Sequence, residues 1–350
     1  MKASSVISLV VAFSVVLLSS GALAGPPPSG YRMLKKIPIS AAPGGAEYFD
    51  YITVDATARR VYVSHGTVVN VLDADNGSMI GTVAGLQRCH GVALVDELGE
   101  GFVTDSGSGE VIIFDIKTFQ VTSKIKAELY ADYILYDSAS RRIFSFNGHS
   151  KNATVIDAAK KTVVATISMG GIPEQAVSDG NGTIYDNIED TNELVAIDSR
   201  TLRIKARWPL APAGQPVSMA MDREHRRLFI GGRNPKSLVV VNADNGKVLQ
   251  SFPIGDRVDA TVFDTKTKLV AASTREGTIH VFHEESPDKF SWIETIRTEF
   301  GAKTMALDPQ THRFYTDTSD FDAPLASTPQ QPNPQAAAIP GSLHLLIYTP

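Results

Sequence analysis

Tyr51-Ile-Thr-Val-Asp-Ala-Thr-Ala-Arg-Arg-Val-Tyr-Val63 reads as a strand, a polar turn and a second strand. The β-branched run Tyr51–Val54 stops at Asp55, Ala56-Thr-Ala-Arg-Arg60 forms the turn, and Val61-Tyr-Val63 resumes the strand pattern. Outward from there, Val68–Leu72 predicts a third strand and Ser78–Val83 a fourth. Asp73-Ala-Asp-Asn-Gly77 lies between them as a turn, with Asn-Gly as its positive-φ pair. Four short strands joined by tight turns make one antiparallel sheet.

The unit returns six more times. An Asp closes the first apolar run of each copy, at Asp55, Asp96, Asp137, Asp179, Asp222, Asp264 and Asp308, in steps of 41, 41, 42, 43, 42 and 44 residues. A period near forty is the signature of four-stranded blades stacked about an axis. The expected fold is therefore all-β: a seven-bladed β-propeller of four-stranded antiparallel blades. Blade limits fall near Tyr48–Leu86, Gln87–Ala127, Glu128–Gly171, Ile172–Gln215, Pro216–Asp256 and Arg257–Gly301, with a seventh blade from Ala302. Inner strands such as Ile134-Leu-Tyr136 and Val217-Ser-Met-Ala-Met221 are apolar on both faces, as a sheet held between two others requires. Arg59-Arg60, Arg141-Arg142 and Arg226-Arg227 recur at one turn position, either as solvated turns or as clamps for a phosphate or carboxylate.

The seventh copy supplies only three strands, Thr304–Asp308, Arg313–Tyr315 and Leu343–Tyr348. Tyr31-Arg-Met-Leu-Lys-Lys-Ile-Pro-Ile39 has the spacing of a fourth strand such as Leu249–Ile254. It is expected to complete the last blade and close the ring, because a shared blade removes open sheet edges. Residues 31–350 are thus read as one propeller. A Pro/Ala/Gln-rich stretch at about 323–340 is read as an exposed loop.

Lys2, the apolar run Val6–Leu18 and Ala22-Leu-Ala24 fit a cleavable leader over residues 1–24, followed by a short linker, 25–30. The expectation is a periplasmic or secreted protein, monomeric, with no membrane span in the mature chain. Cys89 is the only cysteine, so no intramolecular disulfide can form and a buried thiol is expected. The formal net charge is −5 and the basic residues are scattered without a phosphate-tracking stripe, which argues against nucleic acid as a partner. Gly-rich phosphate loops, His-Glu-x-x-His, Cys-rich zinc patterns and Gly-x-Ser-x-Gly elbows are absent from the sequence.

Blades reading Val-Asp, then Arg-Arg-Val-Tyr-Val, then Val-Val-Asn-Val-Leu-Asp and Asn-Gly resemble the bacterial YVTN-type propeller repeat proteins, the group that includes the periplasmic YncE-like proteins. The resemblance runs from about Tyr31 to the C-terminus. It implies an exported propeller that binds something through its face or channel, and it carries over no catalytic residue. Blade two departs from the pattern, with Glu97-Leu-Gly-Glu-Gly101 in place of the basic turn.

Propeller ligands meet the loops that converge on the axis. Five residues before the repeat Asp stand Asp50, Gly91 (beside His90), Asp132, Glu174, Val217, Asp259 and Lys303. The carboxylates Asp50, Asp132, Glu174 and Asp259 could hold a hard divalent cation such as calcium, or meet an organic ligand. Second-strand ends supply another ring, His65, Asp105, Asn147, Asn187, Gly232, Ser273 and Asp317, with His149, Glu189, Arg233 and Arg275 just behind. The expected function is a binding or scaffold module for a small molecule or envelope protein, its site at the channel mouth. One alternative is a metal-dependent, lactonase-like hydrolase in which a His and a carboxylate share acid–base work. Another is an accessory subunit docking a redox or envelope partner.

Overall fold

In the computed structural model the chain is described over residues 29–44, 47–323 and 336–350. The leader expected at 1–24, most of the linker and residues 324–335 of the Pro/Ala-rich stretch lie outside the described residues. Seven four-stranded antiparallel sheets form the ring of a seven-bladed β-propeller. Six follow chain order, the first as Phe49–Asp55, Arg60–His65, Val68–Asp73 and Met79–Ala84. The seventh runs Met305–Asp308, Arg313–Thr318, His344–Thr349 and then Arg32–Pro38, so the N-terminal strand does complete the last blade. Its register pairs Arg32 with Thr349 and Pro38 with His344.

Seven hydrophobic cores lie between neighbouring blades, which is why inner and middle strands are apolar on both faces. The core shared by blades 2 and 3 holds Phe102, Val111, Ile113, Ile143 and Ile156. The junction of blades 7 and 1 holds Val61, Val63, Leu72, Tyr315, Leu345 and Ile347, with Ile39 from the closing segment. Burying each such side chain contributes roughly 1.5–3 kcal/mol. Tyr31 stacks on Phe314 with ring centroids 4.2 Å apart, tying the closing strand to the core between blades 6 and 7. Outer strands such as Met79–Ala84 are more exposed, and Cys89 is fully buried, as expected.

Two local readings are corrected or resolved. In the Asp73–Gly77 turn only Gly77 has positive φ, at 79°; Asn76 does not. Gly77 N–H donates to Asp73 O at 2.8 Å, and Asp73 Oδ1 accepts from the amides of Asp75 and Asn76. The loop is longer than a two-residue hairpin turn, so a single left-handed glycine suffices. The Arg-Arg pairs are staples between blades. Arg59 reaches back to Asp308 of blade 7 at 2.6 Å, and Arg226 to Asp179 of blade 4 at 3.4 Å. The second arginines reach forward: Arg142 donates to Ser199 O at 2.8 Å and Arg227 to Asp288 at 2.6 Å. In blade 2 the divergent turn folds as a 3-10 segment, Asp96–Leu98, capped by left-handed Gly99.

Candidate functional site

Each innermost strand begins at one end of the channel, and the pairing register fixes which residue points inward there. Phe49 pairs with His65, Cys89 with Asp105, Ala131 with Asn147, and Pro173 with Ile188. The next residues, Asp50, His90, Asp132 and Glu174, therefore occupy equivalent positions. His90, and not Gly91, fills the place in blade 2, because Asp96 lies one residue beyond the end of its strand, Cys89–Val95. Successive same-side residues in a strand are two apart. Two positions earlier stand Tyr48, Arg88, Tyr130, Ile172 and Arg257, all at the mouth. Tyr130 and Arg257 hold left-handed φ of 58° and 54°, a conformation non-glycine residues seldom adopt.

The mouth encloses about 430 Å³, lined by Asp50, Asp132, Glu174, Glu189 and Asp259 on one side of the charge balance and Arg88, Arg233, Arg275 and Lys303 on the other. Lys303 Nζ lies between Asp50, at 3.3 Å, and Asp259. Arg233 joins Asp259 and, at 3.5 Å, Glu189. Burial alone would raise Asp50, but Lys303 and the His90 hydrogen bond hold its carboxyl well below the usual range. Burial opposes charge on His90 as well; Asp132 and Asp50 outweigh it and push its pKa up to about 9. Glu174 is raised well above a normal carboxyl by burial and then by Asp132.

His90 is the hub of this wall. Its Nδ1 is 2.6 Å from Asp50 Oδ2, 2.9 Å from Tyr48 Oη and 3.1 Å from Asp132 Oδ1. On the far side of the ring, Nε2 is 2.8 Å from Ser106 Oγ. Aromatic faces complete the mouth: Tyr130 stacks on His149 at 4.4 Å, and the Arg88 guanidinium lies 4.0 Å over the Tyr48 ring. A second recess of about 200 Å³ is lined by Arg233, Arg257, Arg275 and Lys303.

Of the candidate residues, Asp50, Asp132, Glu174, Asp259, Arg233 and Arg275 line the cavity and His90 sits directly behind it. His65, Asn147 and Asn187 do not line it; they are fully buried in the sheets. His65 bonds Asn70 and Glu47, at 3.0 and 2.6 Å, Asn147 bonds Asn152 at 2.8 Å, and Asn187 donates to Ser218 O at 3.2 Å. They are still ladder residues, so their side chains turn between blades, and only the loop residues beyond them reach the axis. The four carboxylates proposed for calcium do not converge as a set. Among the described residues, ligand-range clustering at the mouth involves Asp50, His90 and Asp132, while Lys303 stands between Asp50 and Asp259. Sequence reasoning missed Tyr48, Arg88, Tyr130, Arg257 and Ser106. The first four were legible as residues two before the inner ring; Ser106 directly follows ring residue Asp105.

At the other end the channel opens into an apolar space of about 570 Å³ lined by Val54, Leu94, Tyr136, Met221, Phe263 and Leu307. Among the described residues no helix is long and apolar enough to cross a membrane.

No protein-family profile matches the chain, and no curated protein matches it in sequence. Solved structures do match in shape. A chain of hydrazine synthase from Kuenenia stuttgartiensis is similar with TM-score 0.67 and 13% identity, covering 83% of this chain and 95% of that one. A chain of the mitotic checkpoint complex is similar with TM-score 0.68 and 13% identity, covering 96% and 99%. The WD40 repeats of RRP9 match with TM-score 0.71 and 9% identity over 92% and 98%. At these identities the likeness speaks for the fold alone.

Proposed function

We propose that this chain is an exported, monomeric binding propeller of the YVTN type, and that its channel mouth takes a small organic ligand carrying a carboxylate or phosphate. The observation that carries this reading is the gathering of Arg233, Arg257, Arg275 and Lys303 around one recess of about 200 Å³ at the mouth. Burial and then the neighbouring Arg257 charge lower the Arg275 pKa, with Asp259 opposing, so like charges share this recess. An anion between them relieves that repulsion. Arg275 also lies over the Phe300 and Phe321 rings, at 5.9 and 5.7 Å, and Lys303 and Arg233 are shared with Asp50, Asp259 and Glu189. The aromatic wall of Tyr48, Tyr130 and His149 suits the ring or apolar body of the same ligand, and the cavity volume falls within the range of small-molecule sites. Calorimetric titration against a panel of aromatic and aliphatic carboxylates, sugar phosphates and their neutral analogues tests it. Anionic members should bind and neutral ones should not, with Arg257→Gln plus Arg275→Gln weakening binding at least tenfold while the fold persists. Equal binding of neutral analogues, or no effect of the double variant, would overturn it.

A second reading has its own observation, the Asp50–His90–Ser106 line, which has the order of an acyl-transfer relay. In such a step Ser106 Oγ adds to an acyl carbonyl and its proton passes to His90 Nε2, before the leaving group departs. The raised His90 pKa weighs against this second reading. Below about 9 the imidazole is protonated and Nε2 has no lone pair, so at neutral pH the relay is held off and binding is favoured. Labelling of Ser106 by a fluorophosphonate at pH 7, abolished in Ser106→Ala, would reverse that preference.

A further inference from the structure

We propose that Asp222, His225 and Glu284 form a divalent-metal site, suited to an ion of the zinc class, that clips blade 5 to blade 6 at the end of the ring opposite the ligand mouth.

Asp222 closes the innermost strand of blade 5, Pro216–Asp222, and is fully buried; His225 follows three residues later in the turn. Glu284 comes from the third strand of blade 6, Thr278–Ser286, and is 4% exposed. His225 Nδ1 lies 2.6 Å from Asp222 Oδ2 and 2.8 Å from Glu284 Oε1, and one ligand atom of each residue falls within 4.8 Å of the other two. Nδ1 carries at most one proton and cannot satisfy two carboxylates with it. Asp222 takes the hydrogen bond. Neither oxygen of Glu284 then has any hydrogen-bond partner, although the carboxyl is almost wholly removed from water. A carboxylate left in that condition is costly, and an ion placed among the three groups removes the cost.

Comparison with three other junctions points the same way. Asp308 pairs with Arg59, Asp179 with Arg226 and Asp264 with His312, in each case the turn residue four positions past the repeat Asp of the following blade. At the junction of blades 5 and 6 that residue is Lys268. Its ammonium pairs instead with Glu224, at 3.4 Å, and a second carboxylate, Glu284, stands beside Asp222. The junction has gained an acid where the junctions on either side place Arg226 and His312.

One imidazole nitrogen and two carboxylate oxygens suit zinc, cobalt or manganese better than calcium, which prefers more oxygen ligands. A tetrahedral ion with ligands at about 2.1 Å spaces them about 3.4 Å apart, so the present contacts need to open by less than about 1 Å. The His225 side chain is 27% exposed, which provides an approach for the ion and leaves room for water as a fourth ligand.

The test is titration of chelator-treated full-length protein with Co²⁺ and Zn²⁺, read by the cobalt visible spectrum, calorimetry and melting. One equivalent should bind, with a melting temperature that rises with zinc concentration. His225→Asn, at a partly exposed turn, and Glu284→Gln should each weaken binding at least tenfold and abolish the melting shift. Asp132→Asn, in the mouth cluster, should leave both unchanged. Absence of stoichiometric binding in the unmodified protein, full affinity in His225→Asn, or loss of the signal in Asp132→Asn would each overturn the site.

Discussion

Arg59 Nη1 lies 2.6 Å from Asp308 Oδ2 although the residues are 249 apart in the chain. The contact joins the first blade to the last. Arg59 takes up left-handed φ, 57°, to make it, and Asp308 is fully buried beneath it. Exposed ion pairs contribute little, but here one partner is removed from water. Asp308 keeps Thr311 Oγ1 and the Gln310 amide as donors, so the loss on Arg59→Met is bounded at roughly 1–3 kcal/mol. Urea unfolding of Arg59→Met, Asp308→Asn and the double variant should show that the two changes are not additive. Simple additivity would mean that the pair does not hold the ring together.

Ring closure also depends on a glycine. A Cβ on Gly77 would fall 1.8 Å from Ile37 Cδ1 of the closing strand, and Gly77 has φ of 79°. Gly77→Ala should cost roughly 2–4 kcal/mol through clash and backbone strain together. Adding Ile37→Ala removes the clash and leaves the strain, so the double variant should melt above Gly77→Ala alone. If it melts lower still, the closing strand is not seated against that turn.

His90 predicts alkaline sensitivity. Its folded pKa of about 9 lies above the ordinary histidine value of 6.5, so the folded state binds the extra proton more tightly. The resulting stability is fully present below about 6.5 and is lost as pH rises through about 9, by about 3 kcal/mol in all. Nitrogen NMR of the imidazole and urea midpoints at several pH values measure both quantities. The fall should be reduced in His90→Gln. An imidazole pKa at or below 6.5 would remove this prediction and restore the Ser106 relay.

Asp317 predicts a change in the acid-to-neutral range. The residue is fully buried, its Oδ1 accepts from Thr304 at 2.8 Å and its Oδ2 has no partner. Burial pushes its pKa up to about 7. Its contribution is greatest below the unfolded value, about 3.9, and is lost as pH rises through about 7. Asp317→Asn should therefore be roughly 1–3 kcal/mol more stable than the parent at pH 8 and close to it at pH 4. Equal stability of the two proteins at pH 8 would show that the carboxylate ionises freely in the fold.

The Arg-Arg turns show where sequence reasoning reached its limit. Their recurrence at one repeat position was plain, yet a solvated turn was the first reading and a phosphate or carboxylate clamp the second. Asp179 and Asp308 belong to other blades, and only the stacked sheets bring them within reach of Arg226 and Arg59. His65, Asn147 and Asn187 show the same limit from the other side. Their positions at strand ends suggested the axis, but the ladder turns their side chains between the sheets.

The amino-acid order alone determined the number of blades, their four strands and the identity of the closing strand. Each of these follows from local alternation and from a period near forty, which neighbouring residues encode. The pairing of Lys303 with Asp50 and Asp259, the crowding of Arg257 and Arg275, and the meeting of His225 with Glu284 were decided by tertiary structure. They depend on which side of a strand a residue faces and on how far away the next blade stands, and a single-residue shift such as that between Gly91 and His90 is enough to change them.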